Sequence, residues 1–238
     1  HSSPETILQE REPMSKKPNL VFILSDQHRF CDSGFMGNTQ LSTPCLDRLA
    51  AGGAVFEHAY SNCPVCVPAR GTLLTGLHGF NHGAAANDMS LAVTRGIGNS
   101  LSEAGYRTAY IGKWNLGGVP RDRYIDRNER LGFEFWRANN CCHDYMHSYY
   151  FDNDNVRHEI DGYSPIGFTD IALSYIKEQA SGKKPFAMFL SYSPPHDPYL
   201  LMPPEDVALC ETRAPHVRLR RNVSEITEDK YVPPKGHH

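Results

Sequence analysis

Asn19–Ser25 reads NLVFILS and runs directly into Asp26-Gln27. A short, continuous apolar run with no polar alternation is the pattern of a strand buried on both faces, as in parallel sheets covered by helices. Pro185–Tyr192 (PFAMFLSY) repeats the pattern, and Tyr106–Ile111 is a third strand-like run. Helical stretches lie between them. Thr43 and Pro44 open one through Leu46, Leu49 and Ala50, and Gly52-Gly53 stops it. Pro68 opens a second through Leu73 and Leu74, ending at Gly76. Ile97–Ala104, closed by Gly105, is a third. Phe168–Glu178 is amphipathic, with Ile171, Ala172, Tyr175 and Ile176 on one side. Ala54–Tyr60 reads as a further short strand. This alternation predicts an α/β fold, a mostly parallel sheet sandwiched by helices.

A chain of 238 residues, 40% hydrophobic and 21% charged, has the balance of an ordinary globular domain with a sizeable core. The net charge of −3 gives no electrostatic reason to expect a nucleic acid or an anionic membrane as partner. No run approaches the ~20 apolar residues of a transmembrane helix. The chain opens with His1, and residues 1–13 lack the apolar core of a secretory signal. Residues 1–17 read as a tag or disordered segment. A start at Met14 makes the protein cytoplasmic; a mature chain left after signal removal makes it periplasmic or secreted. The seven cysteines (31, 45, 63, 66, 141, 142 and 210) are odd in number and irregular in spacing, so they predict buried small apolar residues or free thiols rather than a disulfide framework. Nothing in the sequence marks an oligomeric state.

Residues 112–165 are rich in Asn, Asp, Tyr, His and Arg and lack periodicity, so they read as loops or insertions around a pocket. Within them His143, Tyr145, His147, Tyr149 and Tyr150 read equally well as the lining of a sugar-binding cleft or as an insertion packing its own tyrosines. After Pro203 the pattern fades, and residues 206–238 read as an arm or the start of a further region. They include the sequon Asn222-Val223-Ser224, which matters only in a glycosylating host.

Four motifs sit where strands end, the usual place for active sites in open α/β sheets. Asp26-Gln27 offers a carboxylate and an amide carbonyl to a hard divalent cation; a polar strand end is the plainer reading. Cys66-Val67-Pro68-Ala69-Arg70 places a thiol just before a helix, whose amino end favours negative charge, with a guanidinium one turn on. The competing readings are a buried thiol, or a redox or zinc pair in Cys63-Pro64-Val65-Cys66. Gly112-Lys113-Trp114-Asn115 offers an ammonium to an oxyanion, and a solvated lysine is the alternative. Ser193-Pro194-Pro195-His196-Asp197-Pro198 holds a histidine between prolines at the rim, placed to donate a proton, or to serve as a surface cap.

In this order the motifs resemble the sulfatase family. Its signature is a cysteine, any residue, Pro or Ala, Ser or Ala, then arginine, closing on Leu/Thr-Gly, and Cys66 through Gly76 match it. Ser42 through Ala50 (STPCLDRLA) also resembles the family's usual helix. The likeness covers about residues 18–205. It implies the alkaline phosphatase/sulfatase-like fold, cut short before its C-terminal part, and hydrolysis of sulfate esters, with sulfated carbohydrate as a candidate substrate. It also implies oxidation of Cys66 to formylglycine by a formylglycine-generating enzyme. The hydrate of that aldehyde attacks sulfur, and sulfate leaves as the carbonyl reforms. Arg70 would hold the hydrate, Lys113 and His196 would clamp the sulfate, and Asp26, Gln27 and residue 66 would bind a divalent metal, Ca²⁺ first with Mg²⁺ or Mn²⁺ as alternatives. Three departures stand out. Asn115 replaces the family's usual histidine and cannot accept a proton. Ala69 stands where serine is most frequent. The family's second metal-binding motif has no counterpart after residue 205. A phosphonate or phosphate diester hydrolase of the same superfamily, and a catalytically incomplete relative, are the alternatives.

Overall fold

The computed structural model describes residues 17–199 and 201–213. All but Lys17 of the predicted tag over 1–17, the sequon, and the predicted arm beyond residue 213 lie outside the described residues. Six strands form one sheet in the order β1-β6-β2-β3-β4-β5. The three apolar runs are β1 (Leu20–Ser25), β2 (Arg107–Lys113) and β6 (Phe186–Tyr192), and these pair in parallel as the sequence predicts.

Residues 112–165 differ from expectation. They hold β3 (Phe135–Asn139), parallel to β2, and then β4 (Tyr149–Phe151) and β5 (Arg157–Glu159), which pair antiparallel. These strands are too short for a period to show, and pairing with β2 decides their conformation. Tyr145 and Tyr149 are buried, so these two pack inside the stretch, while Tyr150 is half-buried against the His158 ring. Residues 54–60 form no strand. Phe56 and Tyr60 are more than four-fifths exposed there, and no described strand pairs with them. Strand propensity needs a neighbouring ladder to become a strand.

The helices are α1 (Pro44–Gly52), α2 (Cys66–Thr75), the single turn α3 (Gly79–His82), α4 (Ile97–Glu103), α5 (Ser164–Ala180) and α6 (Pro204–Arg213). Thr43 does not cap α1. Its hydroxyl donates to Asp47 (2.9 Å) and accepts from the Gly34 amide (2.7 Å). The helix α6 occupies the start of the region read as an arm. Pro204 in its first turn, followed by Glu205 and Asp206, is an ordinary helix start that the fading apolar pattern hid.

The sheet has a core on each face. Tyr110, Trp136 and Phe189 pack with Val67 and Leu74 of α2 on one side. Ala109, Ile111, Met188 and Leu190 pack with Phe168, Ala172 and Tyr175 of α5 on the other. The odd–even alternation along β2 and β6 is what divides them. Strand β1 lies at the margin, and its other long edge has no partner among the described residues. Its apolar side chains stay exposed, Ile23 by 60%.

The sheet is tightest where the site forms. Gly112 has φ +100°, and a Cβ there would stand 2.0 Å from the Ser191 carbonyl oxygen of β6. Gly112→Ala is therefore expected to destabilise by about 3 kcal/mol through strain and collision with backbone. A urea midpoint within error of wild type would contradict that tightness.

Candidate active site

All the candidate residues gather outside the carboxyl ends of the parallel strands. Asp26 and Gln27 follow β1, Lys113 ends β2, Asn115 follows it, and His196 follows β6. The helix α2 begins at Cys66 itself, two residues earlier than Pro68 suggests. Pro68 then falls within the first turn, where a missing N–H costs no hydrogen bond. The free Val67 N–H is met by Asn87 Oδ1 at 3.3 Å. Cys66 thus sits on the positive end of a ten-residue helix.

The thiol of Cys66 lies 3.6 Å from Asp26 Oδ1. The other carboxylate oxygen faces two cations. Arg70 Nη2 donates to Oδ2 at 3.1 Å, and Lys113 Nζ lies 2.8 Å from it. Burial alone would raise the Asp26 pKa, but Arg70 and Lys113 outweigh it and bring it down to about 2. Asp26 is therefore an anion at any working pH.

Arg70 is buried and straps the strand ends together. Its Nη1 donates to Ser191 Oγ of β6 (2.7 Å) and to the Lys113 carbonyl of β2 (2.8 Å), which also accepts from the Tyr110 hydroxyl (2.8 Å). The guanidinium thus holds Asp26 and the strand ends rather than standing open to a ligand. Lys113 differs. It is 1% exposed and pairs with Asp26 at 2.8 Å, which occupies one of its three N–H groups and leaves the others without a protein acceptor among the described residues. Buried polar groups are almost always hydrogen-bonded. A buried ammonium with uncommitted donors beside a helix amino end is a site for an anion.

His196 is less exposed than the rim position predicted, with 14% of its side chain open. Its contact with Cys66 raises its pKa against the effect of burial. Its Nδ1 meets the Asp197 carbonyl at 2.7 Å. Asn115 has φ +58°, and its amide donates to the Asn140 carbonyl at 2.6 Å.

Gln27 is exposed with φ +60°, and its Nε2 donates to the Tyr199 hydroxyl at 2.8 Å, leaving Oε1 as its metal-type donor. A hard cation takes six or more oxygens. No group of three or more His, Cys, Asp or Glu able to hold a metal occurs among the described residues. The donor types at Asp26 and Gln27 fit such an ion, but their number makes only one wall of its site.

The cysteines are less buried than expected. Cys31, Cys63, Cys66, Cys141 and Cys142 are half-buried free thiols, and Cys45 is exposed. Cys63 and Cys66 form no disulfide. Sequence reasoning missed Ser191, Tyr110 and Asn87. Ser191 carried a usable signal, a hydroxyl inside a buried apolar strand that must find a partner. Asn87 caps its helix from 20 residues away and left no local pattern.

No helix among the described residues is long and apolar enough to cross a membrane. The Sulfatase family model matches residues 18–212. The ulvan-active sulfatase of Formosa agariphila is 40% identical over 197 residues, covering 82% of this chain and 38% of that protein. An endo-4-O-sulfatase of Bacteroides thetaiotaomicron is 28% identical over 223 residues, 78% of this chain and 44% of that one. The chain thus spans about two-fifths of the length of these curated relatives. A solved structure of the sulfatase yidJ from Bacteroides fragilis superposes with a TM-score of 0.73 at 28% identity, over 90% of this chain and 53% of that one. A strand-end cluster built on Cys66, Arg70 and Asp26, a family match over most of the chain, and a shared sheet lead to one assignment: this chain belongs to the sulfatase family.

Proposed function

We propose that this chain carries the nucleophile-bearing part of a sulfuric ester hydrolase acting on sulfated carbohydrate. The observation that carries this reading is the approach of Cys66 to within 3.6 Å of Asp26 at the positive end of α2, with buried Lys113 against the same carboxylate. The ulvan-active and endo-4-O-sulfatase relatives support carbohydrate as the substrate class.

Cys66, once oxidised to formylglycine by a maturation enzyme, supplies a hydrated aldehyde whose oxygen attacks sulfur. A divalent cation, Ca²⁺ first, held by Asp26, Gln27 and residue 66, would withdraw charge from the sulfuryl group. The remaining work belongs to ordinary side chains. Lys113 binds a sulfate oxygen with its uncommitted N–H groups and offsets charge there. His196 holds a proton beside residue 66 and delivers it to the departing alcohol oxygen. Arg70 keeps Asp26 ionised and the strand ends fixed. Asn115 donates a hydrogen bond but accepts no proton, so sulfate release lacks a built-in base at that position.

The test is mass spectrometry of the Cys66 peptide from the full-length protein, together with turnover of an aryl sulfate against an aryl phosphate diester. An aldehyde at position 66 and preference for the sulfate are expected. Faster turnover of the diester would reassign the protein to phosphoryl chemistry. An unmodified cysteine with no turnover of either ester would make it a non-catalytic relative. Asn115→His is expected to raise kcat about tenfold by restoring a proton acceptor. An unchanged or lower kcat would give Asn115 a different role.

A further inference from the structure

Asn139 and Asn140 extend the pairing of β3 past the end of β2. The Trp114 amide donates to the Asn139 carbonyl (2.8 Å) and the Asn115 amide to the Asn140 carbonyl (2.6 Å). The Cys141 amide donates in turn to the Arg121 carbonyl (3.1 Å), which ties this loop to the next one. The chain path brings Cys141 and His143 to the site. The His143 ring lies almost face to face on the ring of His196, with centroids 4.7 Å apart and planes 18° apart. His143 Nε2 stands 3.5 Å from Cys141 Sγ.

His196 is held along its backbone by the Tyr145 hydroxyl, which donates to the carbonyls of His196 (2.9 Å) and Asp197 (2.8 Å). At the ring itself, Nδ1 meets the Asp197 carbonyl (2.7 Å). The Asp197 carboxylate lies 3.2 Å from the same Nδ1, and the Cys66 thiol is the ring's other polar contact. All of these lie in or near the ring plane, so they leave the ring able to tilt about the line that joins them. The broad rotational well of a histidine ring does not prevent this. A second flat ring against its face does.

We propose that His143 is the positioning residue for His196: stacked on its face and backed by the Cys141 thiol, it keeps the opposite nitrogen of His196 directed at residue 66 and the leaving oxygen. This role rests on the hydrolase reading above. Burial and the nearby charges of Lys113, His196 and Arg121 bring the His143 pKa down to about 4, so its ring is uncharged near neutrality and lies against His196 without repulsion.

The experiment uses the full-length protein with conversion at residue 66 confirmed by mass spectrometry. His143→Leu fills the volume without a ring face; His143→Phe keeps the face. Both are measured on 4-nitrophenyl sulfate, whose leaving group needs little protonation, and on 4-methylphenyl sulfate, whose leaving group needs more. His143→Leu is expected to lower kcat on the methylphenyl ester about tenfold or more, with KM within about twofold and the nitrophenyl ester affected less than about threefold. His143→Phe should recover most of the loss. In a His196→Ala background, His143→Leu should cost nothing further, because the two act as one unit.

Equal losses on both esters, a change confined to KM, no recovery with Phe, or additive losses in the His196→Ala background would each overturn the assignment. If the Leu variant does not fold, His143→Gln takes its place with the same split. A wild-type protein with converted residue 66 that turns over neither ester refutes the hydrolase reading, and the role of His143 with it. An active wild type with an unaffected His143→Leu refutes only the latter.

Discussion

Cys66→Ala is expected to abolish hydrolysis, lowering kcat by about 10⁴-fold or more, while the protein keeps its fold. The size follows from deleting the attacking atom; a weakened binding contact would cost far less. The fold survives because Cys66 is only half-buried and its polar contacts are the thiol's approaches to Asp26 and His196. The neighbours that anchor α2 in the core, Val67 and Leu74, are untouched. Alanine is also a better helix former than cysteine. The measurement is kcat on an aryl sulfate, with circular dichroism and a melting curve alongside. Retained turnover would end the mechanism; lost turnover with a collapsed melting curve would mean that residue 66 matters for folding.

The second large effect concerns stability. Asp26→Asn keeps the shape of the side chain and removes its charge. Arg70 and Lys113 are then two buried cations whose shared counter-ion has gone. Breaking one partner of a buried ion cluster typically costs about 3–5 kcal/mol, because the charges left behind remain desolvated. In a chain of this length that lowers the melting temperature by about 10 °C. Turnover falls as well, since the same carboxylate faces residue 66. Urea denaturation without added divalent cation isolates the stability effect. A change below about 1 kcal/mol would mean that water reaches the two cations and that the cluster is not dry.

The sequence disclosed the parts of this molecule governed by local rules. Strands β1, β2 and β6 are apolar runs of strand length, and α1 is bounded by Thr43-Pro44 at one end and Gly52-Gly53 at the other. Strands β3 to β5 were hidden because they owe their conformation to a ladder begun on β2, which no window of a few residues contains. Ala54–Tyr60 shows the reverse error: strand-like composition, but no described ladder for it to join.

The site follows the same division. Asp26, Lys113 and His196 stood out because each follows or ends a strand, and Arg70 because it lies one turn from Cys66. What joins them did not, since Arg70 reaches Asp26 across 44 positions and Ser191 across 121. His143 drew notice only as one polar residue in a tyrosine-rich stretch. Its neighbour His196 lies 53 positions on, and only the sheet brings the two rings together.

The edge of β1 that no described residue covers has a consequence for assembly. That strand ends at Ser25, one residue before Asp26. A polypeptide that pairs with that side in the same direction runs toward Asp26, the carboxylate proposed above to hold the cation. If such a segment added oxygen donors to the proposed cation, docking and cation binding would be thermodynamically linked, each strengthening the other by mass action. Chelation would loosen the joint, and a mutation that weakens the joint would show up first as a poorer grip on the ion.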